Sequence, residues 1–79
     1  MFDEIKELLI DSANVDMKKI KPEARLKEDL GFDSLYAVEM ALELETHFSI
    51  KITPDDLKSL ITVKDVVDMV EKKKGANHQ

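Results

Sequence analysis

The chain contains no cysteine and no tryptophan, and only two glycines and two prolines among its 79 residues. Without cysteine there can be no disulfide framework, thiolate zinc site or cysteine nucleophile. With Gly31 and Gly75 as the only glycines, no glycine-rich loop exists to cradle a phosphate. No calcium-loop or zinc-ligand spacing occurs, so no metal site is expected. Apolar runs all fall short of the ~20 residues of a transmembrane helix, and 37% of the residues are charged. No association with a membrane is expected. Met1-Phe2-Asp3-Glu4 lacks the basic region and apolar stretch of a secretory signal, which makes a cytoplasmic location the expectation.

What is present reads as one small domain. A compact chain of this length has a radius of gyration of roughly 12 Å and buries only about 60–65% of its unfolded surface. Modest stability and no room for a deep, dry catalytic pocket follow. The apolar spacing of Phe2, Ile5, Leu8, Leu9 and Ile10 predicts a first helix from about Asp3 to Ala13. A long connection follows, from Asn14 to Phe32. Structureless loops of that length are rare in compact domains, so Val15, Ile20, Leu26, Leu30 and Phe32 are expected to anchor it to the core. Pro22 excludes a helix interior and should hold the segment extended.

The second helix is predicted from Ser34 to near Phe48. Leu35, Val38 and Leu42 form one apolar stripe, and Met40, Ala41, Leu44 and Phe48 its neighbour. Ser49-Ile50-Lys51-Ile52 alternates like a strand but is too isolated to form a sheet. Thr53-Pro54-Asp55-Asp56 supplies an N-cap, an N1 proline and two first-turn acids, starting a brief third helix to about Leu60. Thr62-Val63-Lys64-Asp65 resembles a capping box with Asp in place of Glu. It starts a fourth helix burying Val63, Val66, Val67 and Val70. Lys72, Lys73 and Lys74 suit that helix's C-terminal dipole, and Gly75 is expected to end it. Residues 1–75 should be the domain and 76–79 a disordered tail. The predicted fold is all-α: a small four-helix bundle, three helices longer and one short, with a long loop between helices one and two.

The chemistry centres on one serine. Gly31 permits a turn and Asp33 is a good N-cap, so Ser34 falls at the first helical position. A serine there points outward, backed by helix N–H groups that favour an anionic group on its oxygen. Ser34 is no hydrolase nucleophile, which would need a base within hydrogen-bond reach. His47 lies thirteen residues away on the same helix, about 20 Å at 1.5 Å per residue, and His78 is in the tail. Glu39 and Glu43 share a face but have no concave pocket to raise one pKa. The chain is therefore expected to carry chemistry rather than perform it.

Net charge is −5, and from Glu28 to Ile50 there are six acids (Glu28, Asp29, Asp33, Glu39, Glu43, Glu45) with no Lys or Arg. The rest of the chain is close to neutral. Such a face steers basic partners and repels nucleic acid, although ordinary solvation of an amphipathic helix explains charge runs equally well.

The run Pro22-Glu23-Ala24 … Leu26 … Glu28-Asp29-Leu30-Gly31-Phe32-Asp33-Ser34-Leu35 … Val38-Glu39-Met40 resembles the acyl carrier proteins, and the likeness extends from helix one through Val70. The resemblance implies that Ser34 receives 4′-phosphopantetheine from coenzyme A, with Asp33 and Leu35 flanking the attachment point. It also implies that the arm's thiol holds acyl groups as thioesters, a role in which a chain without cysteine offers no competing thiol. A phosphopantetheinyl transferase would bind the start of helix two. Acyl-transferring and condensing synthases with basic patches would dock on Glu39, Glu43, Glu45, Leu35 and Tyr36. An acyl tail would be lined by Met40, Leu44, Ile52, Leu57, Leu60 and Val66, the same residues that plain core packing would use. A monomer is expected. Tyr36, Thr46, His47 and Lys51 stand where fatty-acid carriers tend to be acidic. Polyketide, nonribosomal-peptide and specialised lipid pathways thus remain beside general fatty-acid synthesis. The competing class is an unmodified helical interaction module that docks basic partners through helix two.

Overall fold

The computed structural model describes residues 1–13 and 15–77. Four α-helices follow one another: α1 (Phe2–Ala13), α2 (Ser34–Phe48), the short α3 (Pro54–Lys58) and α4 (Val63–Asn77). The Cα radius of gyration is 11.6 Å. Helix α1 packs on α2 and α4, and α2 packs on α4. Ile5 and Leu9 of α1, Met40 and Leu44 of α2, and Val63, Val66 and Val70 of α4 are almost wholly excluded from solvent. The valines disfavour helix in isolation through their stiff χ1; in α4 their burial between two helices offsets that preference. Among the described residues no helix is long and apolar enough to cross a membrane.

The loop between α1 and α2 is structured. A single 3₁₀ turn, Met17–Lys19, is capped by the Asp16 carboxylate, which accepts from the Lys18 N–H. Ile20, Ala24, Leu26 and Phe32 are buried, and Val15 and Leu30 pack partly against the core. Pro22 does not extend the chain. It sits inside a turn closed by the Ala24 N–H donating to the Lys21 carbonyl at 3.0 Å, where its fixed φ suits the second turn position.

Backbone hydrogen bonds fasten this loop to the start of α4. The Leu26 N–H donates to Ile61 O at 2.8 Å, Val63 N–H to Ala24 O at 3.0 Å and Lys64 N–H to Pro22 O at 2.8 Å. Arg25 and Thr62 thereby form an isolated antiparallel bridge. Two N–H groups that a helix start leaves without intrahelical partners are satisfied by loop carbonyls far away in sequence.

The caps follow the local sequence. Thr53 and Asp56 form a reciprocal capping box with Pro54 just inside α3. At α4 the Asp65 carboxylate accepts from the N–H groups of Ile61 and Thr62, both at 3.0 Å, and Thr62 Oγ1 accepts from Asp65 N–H at 3.2 Å. Helix α2 ends at Ser49, which takes the left-handed conformation (φ 56°) and donates its N–H to Glu45 O. The link Ser49–Ile52 is thus a helix C-cap followed by coil. Helix α3 stops at Lys58, short of Leu60.

Gly75 does not end α4, which continues to Asn77. A glycine inside a helix lowers stability by only about 1 kcal/mol, and no atom crowds the position. Ala76 and Asn77 therefore belong to α4 rather than to a disordered tail, while His78 and Gln79 lie outside the described residues. Of the three lysines near this end, Lys73 Nζ lies 2.8 Å from the Asp56 carboxylate, and Lys74 lies over the Phe48 ring, 5.5 Å from its centroid.

The Lys73 contact, with the Thr53 backbone and side-chain donors behind it, holds the Asp56 carboxyl down to about 2. A carboxylate depressed in the folded state stabilises above its unfolded pKa of about 3.9 and loses that contribution as pH falls through the folded value. Stability is therefore expected to fall between about pH 4 and pH 2, and Asp56→Asn should flatten part of that fall. Urea midpoints measured across the window check it.

Candidate functional site

Ser34 opens α2 with the geometry its neighbours dictate. Gly31 takes a left-handed φ of +73°, which turns the chain after Leu30. Asp33 is then extended (φ −91°, ψ 179°), and its Oδ1 accepts from the Tyr36 N–H at 2.8 Å. Ser34 is the first helical residue, exposed to solvent, and its hydroxyl makes no hydrogen bond among the described residues. An exposed, unengaged hydroxyl at the positive end of a fifteen-residue helix is accessible for esterification, and the helix favours an attached anion.

A cleft of about 420 Å³ opens beside it, lined by Leu26, Lys27, Phe32, Asp33, Ser34, Ala37, Met40, Leu57 and Leu60. That volume falls within the ~300–1,000 Å³ typical of small-molecule sites, and the lining is mostly apolar. The residues present thus fit a serine-linked phosphate with a flexible arm that can lie on or enter an apolar cleft.

Three of the six residues expected to line an acyl tail, Met40, Leu57 and Leu60, are in this cleft. Leu44 and Val66 are fully buried in the bundle, and Ile52 packs against the core from the link. These three are outside the cleft lining. Leu26, Phe32 and Ala37 take their places. The first two were legible only as loop anchors. Ala37 was signalled by spacing, since Ser34, Ala37 and Met40 recur every three residues along one face of α2.

The outward face of α2 carries the stripe Leu35, Val38 and Leu42, which are 73%, 51% and 59% exposed. Glu39 and Glu43 are exposed on the same helix, without an ion-pair partner among the described residues. Two other expected docking residues are engaged internally. The Glu45 carboxylate is half-buried and accepts from the Ile52 N–H at 2.7 Å, tying α2 to the link that follows it. The Tyr36 hydroxyl lies 2.6 Å from Ser12 Oγ on α1, and its ring is 4.3 Å from that of Phe32. Burial pushes the Tyr36 phenol above its ordinary value, the Ser12 bond opposes this, and Glu43 and Glu39 add to it.

The acidic run is also partly neutralised. Arg25 Nη1 lies 2.6 Å from Glu28, and Arg25 Nε lies 3.3 Å from Asp29. A larger hollow, about 720 Å³, lies between α1 and α2 far from Ser34, among Glu4, Glu7, Asp11, Glu43 and His47. His47 is half exposed, its Nε2 3.9 Å from Glu4.

Comparison with known proteins accounts for this arrangement. The family described as "Phosphopantetheine attachment site" matches residues 3–70. An acyl carrier protein of Wolinella succinogenes is 40% identical over 74 residues, covering 94% of this chain and 97% of that one. One from Helicobacter hepaticus is 41% identical over 73 residues, covering 92% and 96%. The crystal structure of an acyl carrier protein from Thermotoga maritima superposes with a TM-score of 0.79 at 28% identity, over 90% of this chain and 82% of that one. With a phosphopantetheine attachment domain spanning most of its length and relatives that match it nearly end to end, the chain belongs to the acyl carrier protein family, as a carrier and not an enzyme.

Proposed function

We propose that Ser34 is the residue that bears 4′-phosphopantetheine, and that the chain shuttles acyl groups between enzymes of fatty-acid or a related acyl pathway. The observation that carries the reading is the exposed, unengaged Ser34 hydroxyl at the start of α2, opening onto an apolar cleft. When bound, the group supplies a thiol that holds acyl chains as thioesters. The protein's own residues do the rest. Asp33 fixes the helix start and so the direction of Ser34 Oγ. Met40, Leu57 and Leu60, with Leu26, Phe32 and Ala37, offer apolar surface that keeps water from an apolar chain laid in the cleft. Leu44, Val66 and Ile52 belong to the core of the bundle.

Docking is assigned to the outward face of α2. Leu35, Val38 and Leu42 provide apolar contact, and Glu39 and Glu43 provide charge for the basic patches of a phosphopantetheinyl transferase and of acyl-transferring and condensing enzymes. Glu45 and Tyr36 support this face from within. Reversing both acids, Glu39→Lys with Glu43→Lys, is expected to lower the transferase's kcat/KM about tenfold or more at low salt, with the gap narrowing at high salt as steering is screened. Steady-state kinetics at two ionic strengths check it. A monomer in the cytoplasm fits a carrier that must present one arm to several partners in turn.

Intact-protein mass spectrometry tests the function itself. Incubation with coenzyme A, magnesium and a broad-specificity transferase should add one phosphopantetheine, or the purified protein should already bear it. No gain in folded protein, with a known carrier modified alongside, overturns the reading in favour of an unmodified interaction module.

A further inference from the structure

We infer that Lys27 is the cationic partner of the anion attached at Ser34, holding the phosphodiester of the arm at the mouth of the cleft. The inference rests on the assignment of Ser34 as the attachment point. Lys27 is the only cation in the cleft lining and shares that lining with Ser34.

The local charge favours such a partner. Esterification places a new anion next to the Asp33 carboxylate, which is already fixed at the helix start by the Tyr36 N–H. Like charges so close destabilise each other. No Lys or Arg occurs between Glu28 and Ile50, and Arg25 is engaged by Glu28 and Asp29. Lys27 is exposed and has no ion pair among the described residues, so its ammonium group is available.

Its backbone, by contrast, is fixed. The preceding Leu26 is buried, donates its N–H to Ile61 O at 2.8 Å and accepts from the Phe32 N–H at 2.9 Å. The lysine therefore starts from an anchored position beside the cleft, which lowers the ordering penalty of pairing.

The test is a cycle of melting temperatures on apo and loaded protein, for the unsubstituted chain, Lys27→Met, Lys27→Arg and Lys51→Met. Methionine keeps an unbranched apolar stem and removes the charge, and Lys51 is an exposed lysine outside the cleft. The loaded-minus-apo difference is expected to be about 1–5 °C more favourable in the unsubstituted chain than in Lys27→Met. That excess should survive in Lys27→Arg and Lys51→Met and vanish in 1 M salt. An equal difference in the unsubstituted chain and Lys27→Met, or an equal loss in Lys51→Met, overturns the inference. Failure to load, or loading at another residue, is read separately by mass spectrometry. Either overturns the Ser34 assignment and this inference with it.

Discussion

Ser34→Ala is expected to abolish loading completely while leaving the bundle folded. The substitution removes the one hydroxyl that combines exposure, a helix-start position and an adjacent apolar cleft. The other hydroxyls of α2 and its cap do not combine these features. Tyr36 is engaged with Ser12, Thr46 Oγ1 donates to the Leu42 carbonyl, and Ser49 lies at the opposite end of the helix. The Ser34 hydroxyl makes no hydrogen bond among the described residues, so the stability change should stay within about 0.5 kcal/mol. Intact mass after transferase treatment reads the first effect and a urea titration the second. A loss of loading accompanied by unfolding would leave the serine a structural residue only.

Leu44→Ala should be the most destabilising single truncation on α2. Its side chain is 0% exposed, on a helix that packs against both α1 and α4. Deleting most of a buried leucine costs about 2–5 kcal/mol, depending on how far the cavity collapses. A domain of this size has roughly 4–12 kcal/mol in total. At about 4–8 °C per kcal/mol, the melting temperature should fall by at least about 8 °C, and part of the population unfolds at the upper end of the range. Calorimetry checks it. Because Leu44 does not line the cleft, the residual folded protein should still accept phosphopantetheine at Ser34, separating core from site.

Local side-chain chemistry made much of this fold legible. The start of α2 follows from Gly31 and Asp33, that of α3 from Thr53 and Asp56, and that of α4 from Thr62 and Asp65, because each cap is a bond between residues three positions apart. Helix ends were less readable. Gly75 signals a stop but is equally compatible with the helix that runs on to Asn77, and Ser49 ends α2 in a conformation that glycine more often takes. The loop bonds from Pro22 and Ala24 to Lys64 and Val63 join residues some forty positions apart, and no local pattern encodes them. Pro22, whose fixed φ by itself favours an extended segment, is placed in a turn by those bonds.

The site divides in the same way. Ser34, Asp33 and the exposed Leu35 follow from sequence, since a helix start fixes direction. The lining of the cleft does not, because a 3.6-residue period marks which residues face inward but not whether they meet a neighbour or a cleft. Leu44 and Met40 share a stripe, yet only Met40 reaches the cleft. Glu45, expected as a docking acid, also holds the Ile52 N–H, a bond that its charge alone does not signal. Leu42 and Val38, read simply as an apolar stripe, face solvent beside Glu39 and Glu43.

Locating the modification on the chain distinguishes a carrier loaded at Ser34 from every alternative. Trypsin cuts after Lys27 and after Lys51, with no Lys or Arg between them, so a single peptide holds Ser34, Tyr36, Thr46 and Ser49 together. Tandem mass spectrometry of that peptide from loaded protein should place the phosphopantetheine on Ser34. A label on Ser49, Thr46 or Tyr36, or on any other peptide, would contradict the account.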